Sequence, residues 1–218
     1  MAKKAVIAGT SGLIGSKLLS ILLEDPEYSE ILILVRRKTR YNFTKLKSII
    51  LDFDDLENYA QLINGHALFC CLGSTRKRTP EKADFRKVDH DYPLKLAEIA
   101  LRNGMNQYHL VSAIGADAHS KNFYTQMKGE TEDDIKALGI PSVFIYQPSV
   151  LIGSRTERRF WERILKKIMK IIDPLLIGKY KKYRSIRASI VSRAMFNQSL
   201  TKKTGIFVYP SDQITQLS

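Results

Sequence analysis

The chain has 218 residues, of which 44% are hydrophobic, and its formal net charge is +13. This size and composition are typical of one globular domain with a single core. No apolar run approaches the roughly 20 residues that a membrane-spanning helix needs. Two adjacent cysteines and four scattered histidines exclude a disulfide framework and show no metal-ligand spacing. We therefore expect a single cytoplasmic domain over residues 1–218.

Short apolar runs alternate with helical patterns along the first 150 residues. Because these runs are apolar on both faces, they predict a parallel sheet covered by helices on both sides. Right-handed crossovers then give a Rossmann-type, doubly wound α/β fold with strand order 3-2-1-4-5-6. The predicted strands are 5–8, 31–35, 47–51, 67–72, 107–111, 142–146 and a last one at 206–209. The predicted helices are Leu18 to Asp25, 54–63, 91–103, 125–138 and 187–200.

A glycine-rich loop follows the first strand and opens the first helix. Glycines let the backbone turn tightly and approach a pyrophosphate, while the helix start offers free N–H groups and a positive dipole end. This loop therefore predicts a dinucleotide site. Its residues are Gly9, Thr10, Ser11, Gly12, Leu13, Ile14 and Gly15.

The end of the second strand indicates which dinucleotide is bound. A carboxylate there would bind the ribose 2′-hydroxyl of NAD, but the chain has Arg36 and Arg37, and no Asp or Glu occurs over 31–51. Guanidinium groups can pair with a 2′-phosphate, so we predict NADP(H) over NAD(H), the alternative being a solvated charge run.

Two later positions allow both a cofactor contact and a plain structural role. Asp52 follows the third strand and either touches the adenine edge or is a surface-loop residue. Leu72 and Gly73 follow the fourth strand and either run against the cofactor ribose or form an ordinary turn.

A proton-transfer group follows the fifth strand. Ser112 stands at the carboxyl end, where open α/β sheets bind ligands. Tyr124 and Lys128 are four residues apart and share one helix face. A lysine ammonium favours a phenolate, so we expect Lys128 to lower the Tyr124 pKa from about 10 toward working pH. The set predicts carbonyl reduction, with Tyr124 as acid and Ser112 holding the substrate oxygen.

Together these motifs resemble the short-chain dehydrogenase/reductase superfamily. The runs VSAIGAD at 111–117 and PSVLIG at 148–153 are similar to its atypical branch, which includes the Tat-interacting (CC3-like) proteins and epimerase-like NAD(P)-binding relatives. The resemblance implies that Pro148 and Val150 pass near the nicotinamide and that the segment after 153 forms the substrate side. Where the superfamily often has a helix asparagine that relays protons, this chain has Val88-Asp89.

Residues 153–187 are predicted to be a basic substrate-side or interaction segment. Twelve Lys or Arg against three acidic residues within 155–187 give it a net charge of +9. Its helical pattern at 160–172 favours a helix packed on the domain, with an interfacial membrane helix as the alternative. No recognised nucleic-acid-binding module accompanies the charge, which argues against a nucleic acid partner.

Two functions remain open at this point. The first is an NADPH-dependent reductase of a small carbonyl compound. The second is an NADP(H)-binding regulatory or interaction protein without turnover, with peripheral membrane contact as one form of it. The sequence leaves the oligomeric state open.

Overall fold

The computed structural model describes residues 3–39, 43–75, 79–152, 176 and 178–218. In this part of the chain, seven parallel strands form one sheet in the order β3-β2-β1-β4-β5-β6-β9. The predicted strand order and the parallel sheet are confirmed, and the last predicted strand extends the sheet beside β6. The strands are β1 Lys3–Ala8, β2 Tyr28–Val35, β3 Leu46–Ile50, β4 Ala67–Cys70, β5 Gln107–Val111, β6 Ser142–Gln147 and β9 Gly205–Pro210. Two short strands, β7 Leu151–Ile152 and β8 Ile186–Arg187, pair separately.

Helices cover both faces of the sheet. The α-helices are α1 Leu13–Glu24, α2 Lys82–Arg86, α3 Tyr92–Arg102, α4 Phe123–Ala137, α5 Ala188–Ser199 and α6 Ser211–Gln216. Among the described residues, two 3-10 helices lie at Phe53–Leu62 and Gly178–Tyr183, and a π-helical turn at Lys87–Asp91 joins α2 to α3. The predicted helix at 160–172 lies outside the described residues.

Alternation along each strand divides the core into two layers. In β1, Ala5 and Ile7 pack toward α1 and α5, whereas Val6 and Ala8 pack toward α3 and the 3-10 helix at Phe53–Leu62. Because successive side chains point to opposite faces, a strand buried on both sides must be apolar throughout. This explains why the central strands appear in the sequence as unbroken apolar runs.

Some boundaries differ from the predicted ones, for local reasons. Helix α1 begins at Leu13 rather than Leu18, because it starts inside the glycine loop. Strand β4 ends at Cys70 rather than Leu72, so the chain leaves the sheet two residues earlier. The predicted helix at 54–63 is a 3-10 helix interrupted by a kink at Asp55.

Within the described residues, no helix is long and apolar enough to cross a membrane.

Candidate active site

The parallel sheet brings the predicted loops to one edge. Strands β1, β4, β5 and β6 all end there, so the loops that start at Gly9, Cys71, Ser112 and Pro148 are neighbours. Hydrogen bonds across the strand ends tie them together: Cys71 N donates to the Ala8 carbonyl at 2.9 Å, and Ser112 N donates to the Tyr146 carbonyl at 2.7 Å. The edge of the sheet thus collects residues that are far apart in sequence.

The glycine loop has the geometry that a pyrophosphate requires. Gly9 has a φ of +91°, and a Cβ added to Gly15 would lie 2.4 Å from the Gly9 carbonyl oxygen, so both positions require glycine. Helix α1 begins at the Gly12 cap without a side-chain hydrogen bond and without an acidic residue in its first turn. These first-turn amides suit an anionic group, and the loop fits a dinucleotide phosphate.

The remaining predicted nucleotide residues border this loop. Thr10 is buried beside the glycines, while Leu13 and Ile14 open α1. Arg36 and Arg37 are exposed directly after β2, the strand next to β1.

The two positions left open in the sequence have distinct surroundings. The Asp52 carboxylate accepts a hydrogen bond from Asp54 N at 3.1 Å and caps the 3-10 helix, a contact that suits the surface-loop interpretation. A Cβ at Gly73 would meet only Asp89 Oδ1, at 3.5 Å, and the neighbouring Leu72 is half-buried.

Ser112 stands at the centre of this edge with an unused hydroxyl. It is 6% exposed, and among the described residues its Oγ has no hydrogen-bond partner. An unpaired buried hydroxyl costs free energy, on the order of 1–3 kcal/mol, unless a ligand or water satisfies it. Pro148 is buried nearby and accepts a hydrogen bond from Ile114 N at 3.0 Å, while Val150 is exposed. The Ser112 hydroxyl is thus a ready partner for a ligand oxygen.

Helix α4 carries Tyr124 and Lys128 at fixed positions. Asn122 caps the helix, its side-chain oxygen accepting from Tyr124 N at 2.9 Å and Thr125 N at 3.3 Å. A Cβ on Gly129 would lie 2.1 Å from the Ala118 backbone nitrogen. The glycine therefore lets the loop after β5 cross close to the helix.

Lys128 is held by a carboxylate at the position where the superfamily often has a helix asparagine. Its ammonium lies 2.9 Å from Asp89 Oδ1, and both side chains are almost fully buried. Asp89 Oδ2 accepts from Ser74 N at 2.7 Å, and the Asp89 carbonyl accepts from Thr131 Oγ1 at 3.2 Å. Asp89 therefore links the loop after β4, the π-helical turn and α4.

The expected net pKa shift of Tyr124 is wrong in direction. Burial raises the pKa of Tyr124, the positive charge of Lys128 lowers it, and the negative charge of Asp89 raises it, so the net direction is upward. For Lys128 itself, burial lowers the pKa but the attraction of Asp89 and Tyr124 outweighs it, so the pKa is raised. The main reason for the error is burial, which outweighs the charge of Lys128, and the negative charge of Asp89 acts in the same direction as burial.

Three residues that organise the site were absent from the predicted set. Asn122 could have been found from its position just before an aromatic helix start, a common N-cap signal. The signal for Asp89 was its position, where the superfamily often has a helix asparagine. Gly129 has no such signal, because its need for a missing side chain depends on a loop eleven residues earlier.

The comparisons with known proteins agree with this geometry. A family model described as NAD(P)H-binding matches residues 9–167. Protein HTATIP2 from Rattus norvegicus is 32% identical over 93% of this chain and 84% of its own length. Protein FMP52, mitochondrial, from Saccharomyces cerevisiae is 33% identical over 71% of this chain and 68% of its own.

A solved structure shows the same fold. The enzyme WbmG from Bordetella bronchiseptica, in complex with NAD, superposes with a TM-score of 0.70 at 14% identity, covering 99% of this chain and 76% of WbmG. The fold, the glycine loop and these relatives all indicate an NAD(P)H-binding protein. The chain therefore belongs to the NAD(P)H-binding family, as an atypical member of the short-chain dehydrogenase/reductase type.

Proposed function

We propose that this protein is an NADP(H)-dependent oxidoreductase that reduces a small carbonyl compound. The observation that carries the proposal is the buried hydroxyl of Ser112, which has no hydrogen-bond partner in the described part of the chain and lies at the sheet edge that also holds the glycine loop. A hydroxyl left without a partner at this position is suited to the carbonyl oxygen of a substrate.

The residues have complementary roles in this proposal. The loop Gly9–Gly15 and the N-terminus of α1 would hold the pyrophosphate, and Arg36 and Arg37 the 2′-phosphate. When bound, the reduced nicotinamide supplies a hydride to the carbonyl carbon. Leu72, Gly73, Pro148 and Val150 would border the nicotinamide half of the cofactor.

Proton transfer is assigned to α4. As the C=O π bond opens, Tyr124 gives its phenolic proton to the oxygen, to which Ser112 donates a hydrogen bond. Lys128 stabilises the tyrosinate, which regains a proton from water. The hydride brings two electrons and one hydrogen nucleus to the new C–H bond, and Tyr124 brings a proton to the new O–H bond, so the carbonyl group gains two electrons and two protons in all.

The test of the proposal is Tyr124→Phe, which keeps the ring and removes the acid. We expect turnover to fall by about 10²- to 10⁴-fold while NADPH binding persists. Tyr59→Phe, on the 3-10 helix Phe53–Leu62, is the matched control and should leave turnover unchanged. Turnover that survives in Tyr124→Phe would remove Tyr124 from the reaction.

A cofactor-binding or regulatory protein without turnover is the second candidate. The observation that favours it is the Lys128–Asp89 ion pair, which offsets the charge that would acidify Tyr124. This candidate predicts tight NADPH binding with no turnover across a panel of aldehydes and ketones.

The membrane form of the second candidate has its own test. It predicts binding to anionic vesicles that is lost when Arg158, Arg159, Lys166 and Lys167 are neutralised. If the intact protein does not bind such vesicles, this form is refuted. Cytoplasmic location is likewise a proposal, to be tested by cell fractionation because the yeast relative is named mitochondrial.

A further inference from the structure

A cavity of about 290 Å³ lies beside Tyr124, and no step proposed so far uses it. It is formed where the loop after β4, helix α2 and the start of α4 meet. Its described lining residues are Ser74, Thr75, Phe85, Phe123 and Tyr124. The volume is near the lower end of the ~300–1,000 Å³ typical of ligand sites, which suits a molecule of one or two rings.

Aromatic rings make up most of this lining. The Phe85 ring centre is 6.3 Å from that of Phe123 with the planes at 53°, and 6.3 Å from that of Tyr124 at 68°. These tilted contacts fix the orientation of the three rings relative to one another. Lys82 Nζ lies 5.5 Å from the centre of the Phe123 ring, a cation–π contact that helps to fix its orientation.

Among the residues that the structure describes, the polar groups lining the cavity are few and neutral. None of its described lining residues is charged, and the Ser74 hydroxyl is engaged with Thr79 Oγ1 at 2.5 Å. Such a lining does not replace the hydration of an anion or of a polyhydroxylated sugar. It offers instead the edge-to-face contacts that a flat aromatic ring prefers.

We propose that this cavity binds the aromatic ring of an uncharged aromatic ketone or aldehyde, whose carbonyl group is reduced at Tyr124. The inference rests on the proposed function for the reaction, but the binding site stands on the three rings alone. The ring would pack against Phe85 and Phe123, and the carbonyl oxygen would reach Tyr124 and Ser112. The ketone is reduced to the alcohol by the hydride and proton already described.

The first experiment compares two ketones of equal carbon number. Acetophenone and cyclohexyl methyl ketone are titrated into the protein by calorimetry, with and without NADPH, and 2-acetonaphthone tests the two-ring limit. We expect acetophenone to bind about 3- to 10-fold more tightly than its saturated analogue, because only the aromatic ring makes edge-to-face contacts. Equal affinity for the pair, or no binding of the aromatic ketones with or without NADPH, would overturn the proposal.

Variants then locate the site. Phe123 is half-buried, so Phe123→Leu should fold, retain an apolar side chain and lose about 3- to 10-fold in affinity for acetophenone alone. Phe123→Tyr keeps the ring and should retain the selectivity. Phe43→Leu is the matched control, since Phe43 is an exposed phenylalanine that lines a separate hollow of about 190 Å³. A loss in Phe43→Leu, or no loss in Phe123→Leu, would contradict the assignment.

Failure of the inference and failure of the proposed function give different results. If aromatic ketones bind in a Phe123-dependent way but are not reduced, the aromatic site stands and carbonyl reduction fails. If aliphatic and aromatic ketones are reduced with equal efficiency, the reaction stands and the aromatic selectivity fails.

Discussion

The phosphate loop and the candidate proton-transfer site are assembled in opposite ways. The loop is seven consecutive residues, Gly9–Gly15, whose geometry follows from glycine positions and the start of one helix. The proton-transfer site joins Ser74, Asp89, Ser112 and the Tyr124–Lys128 pair, which come from four separate segments of chain. The first can be recognised in a short stretch of sequence, whereas the electrostatics of the second exist only after folding.

This difference in assembly has its largest consequence for the electrostatics of the two sites. In sequence, the charged residues within four positions of Tyr124 are Lys121 and Lys128, and Lys128 shares its helix face, so Lys128 is expected to lower the tyrosine pKa. In the fold, burial of Tyr124 reverses the net direction of the shift, and Asp89, which reaches the same ammonium from 39 positions away, adds to this effect. Local reasoning therefore succeeds for steric motifs and fails for the sign of an electrostatic effect.

The largest expected effect is that of Asp89→Asn on stability. The substitution leaves the buried Lys128 ammonium without its counter-charge, which typically costs about 3–5 kcal/mol. Urea unfolding at pH 7 measures it, and Glu57→Gln, which removes one partner of an exposed ion-pair group, should cost no more than ~1 kcal/mol. If Asp89→Asn lowers the free energy of unfolding as little as Glu57→Gln does, the buried pair does not stabilise the site.

The stabilising contribution of the Lys128–Asp89 pair depends on pH, and the sign of this dependence follows from the raised pKa of Lys128. Because the pKa of Lys128 is raised in the folded state above 10.5, its stabilising contribution is fully present at neutral pH and is lost only as the pH rises through the folded-state value. The double variant Asp89→Leu/Lys128→Met removes both charges and should recover much of the stability at pH 7. It should also lose this alkaline sensitivity.

The sequence was sufficient for the sheet but not for the shape of the site. Strand order followed from apolar runs and crossover handedness, and it holds from Lys3 to Pro210. The aromatic cavity could not be predicted, because Phe85 and Phe123 lie on different helices and meet Tyr124 only through their packing. Phe85 and Phe123 are 38 positions apart, and no periodic pattern in a sequence indicates that such distant side chains are neighbours.

The next prediction concerns cofactor choice, which depends on a short local stretch of sequence. Replacing Arg36 and Arg37 together by alanine removes charge-assisted hydrogen bonds to a 2′-phosphate, so NADPH affinity should fall by about 10- to 100-fold while NADH affinity is unchanged. Lys202→Ala, an exposed charge before β9, controls for net charge. Fluorescence titration with both cofactors measures the effect, and parallel losses for NADH and NADPH would remove the arginines as the selectivity determinant.

The smallest effect comes from His109, on the strand that leads into Ser112. Its ring stacks between Phe69 and Phe144, with centres 4.6 Å from each, and contacts Tyr146 Oη and Gln107 Oε1 at 3.1 Å. Burial, with a smaller contribution from His66, lowers the pKa of His109 from 6.5 to about 3. Between these values the unfolded chain binds the proton and the folded one does not, so stability falls as the pH drops below 6.5.

The expected slope from this one group is about 1.4 kcal/mol per pH unit, or roughly 2 kcal/mol between pH 6.5 and 5. Urea unfolding of the parent, His109→Phe and His119→Gln over this range measures it. His119 is exposed in a loop, so its substitution should leave the acid slope intact, whereas His109→Phe should flatten it. The absolute stability of His109→Phe will also change, because Tyr146 and Gln107 lose a partner, but only the slope reports the titration. A slope unchanged in His109→Phe would mean that the acid sensitivity arises elsewhere than in the core beneath Ser112.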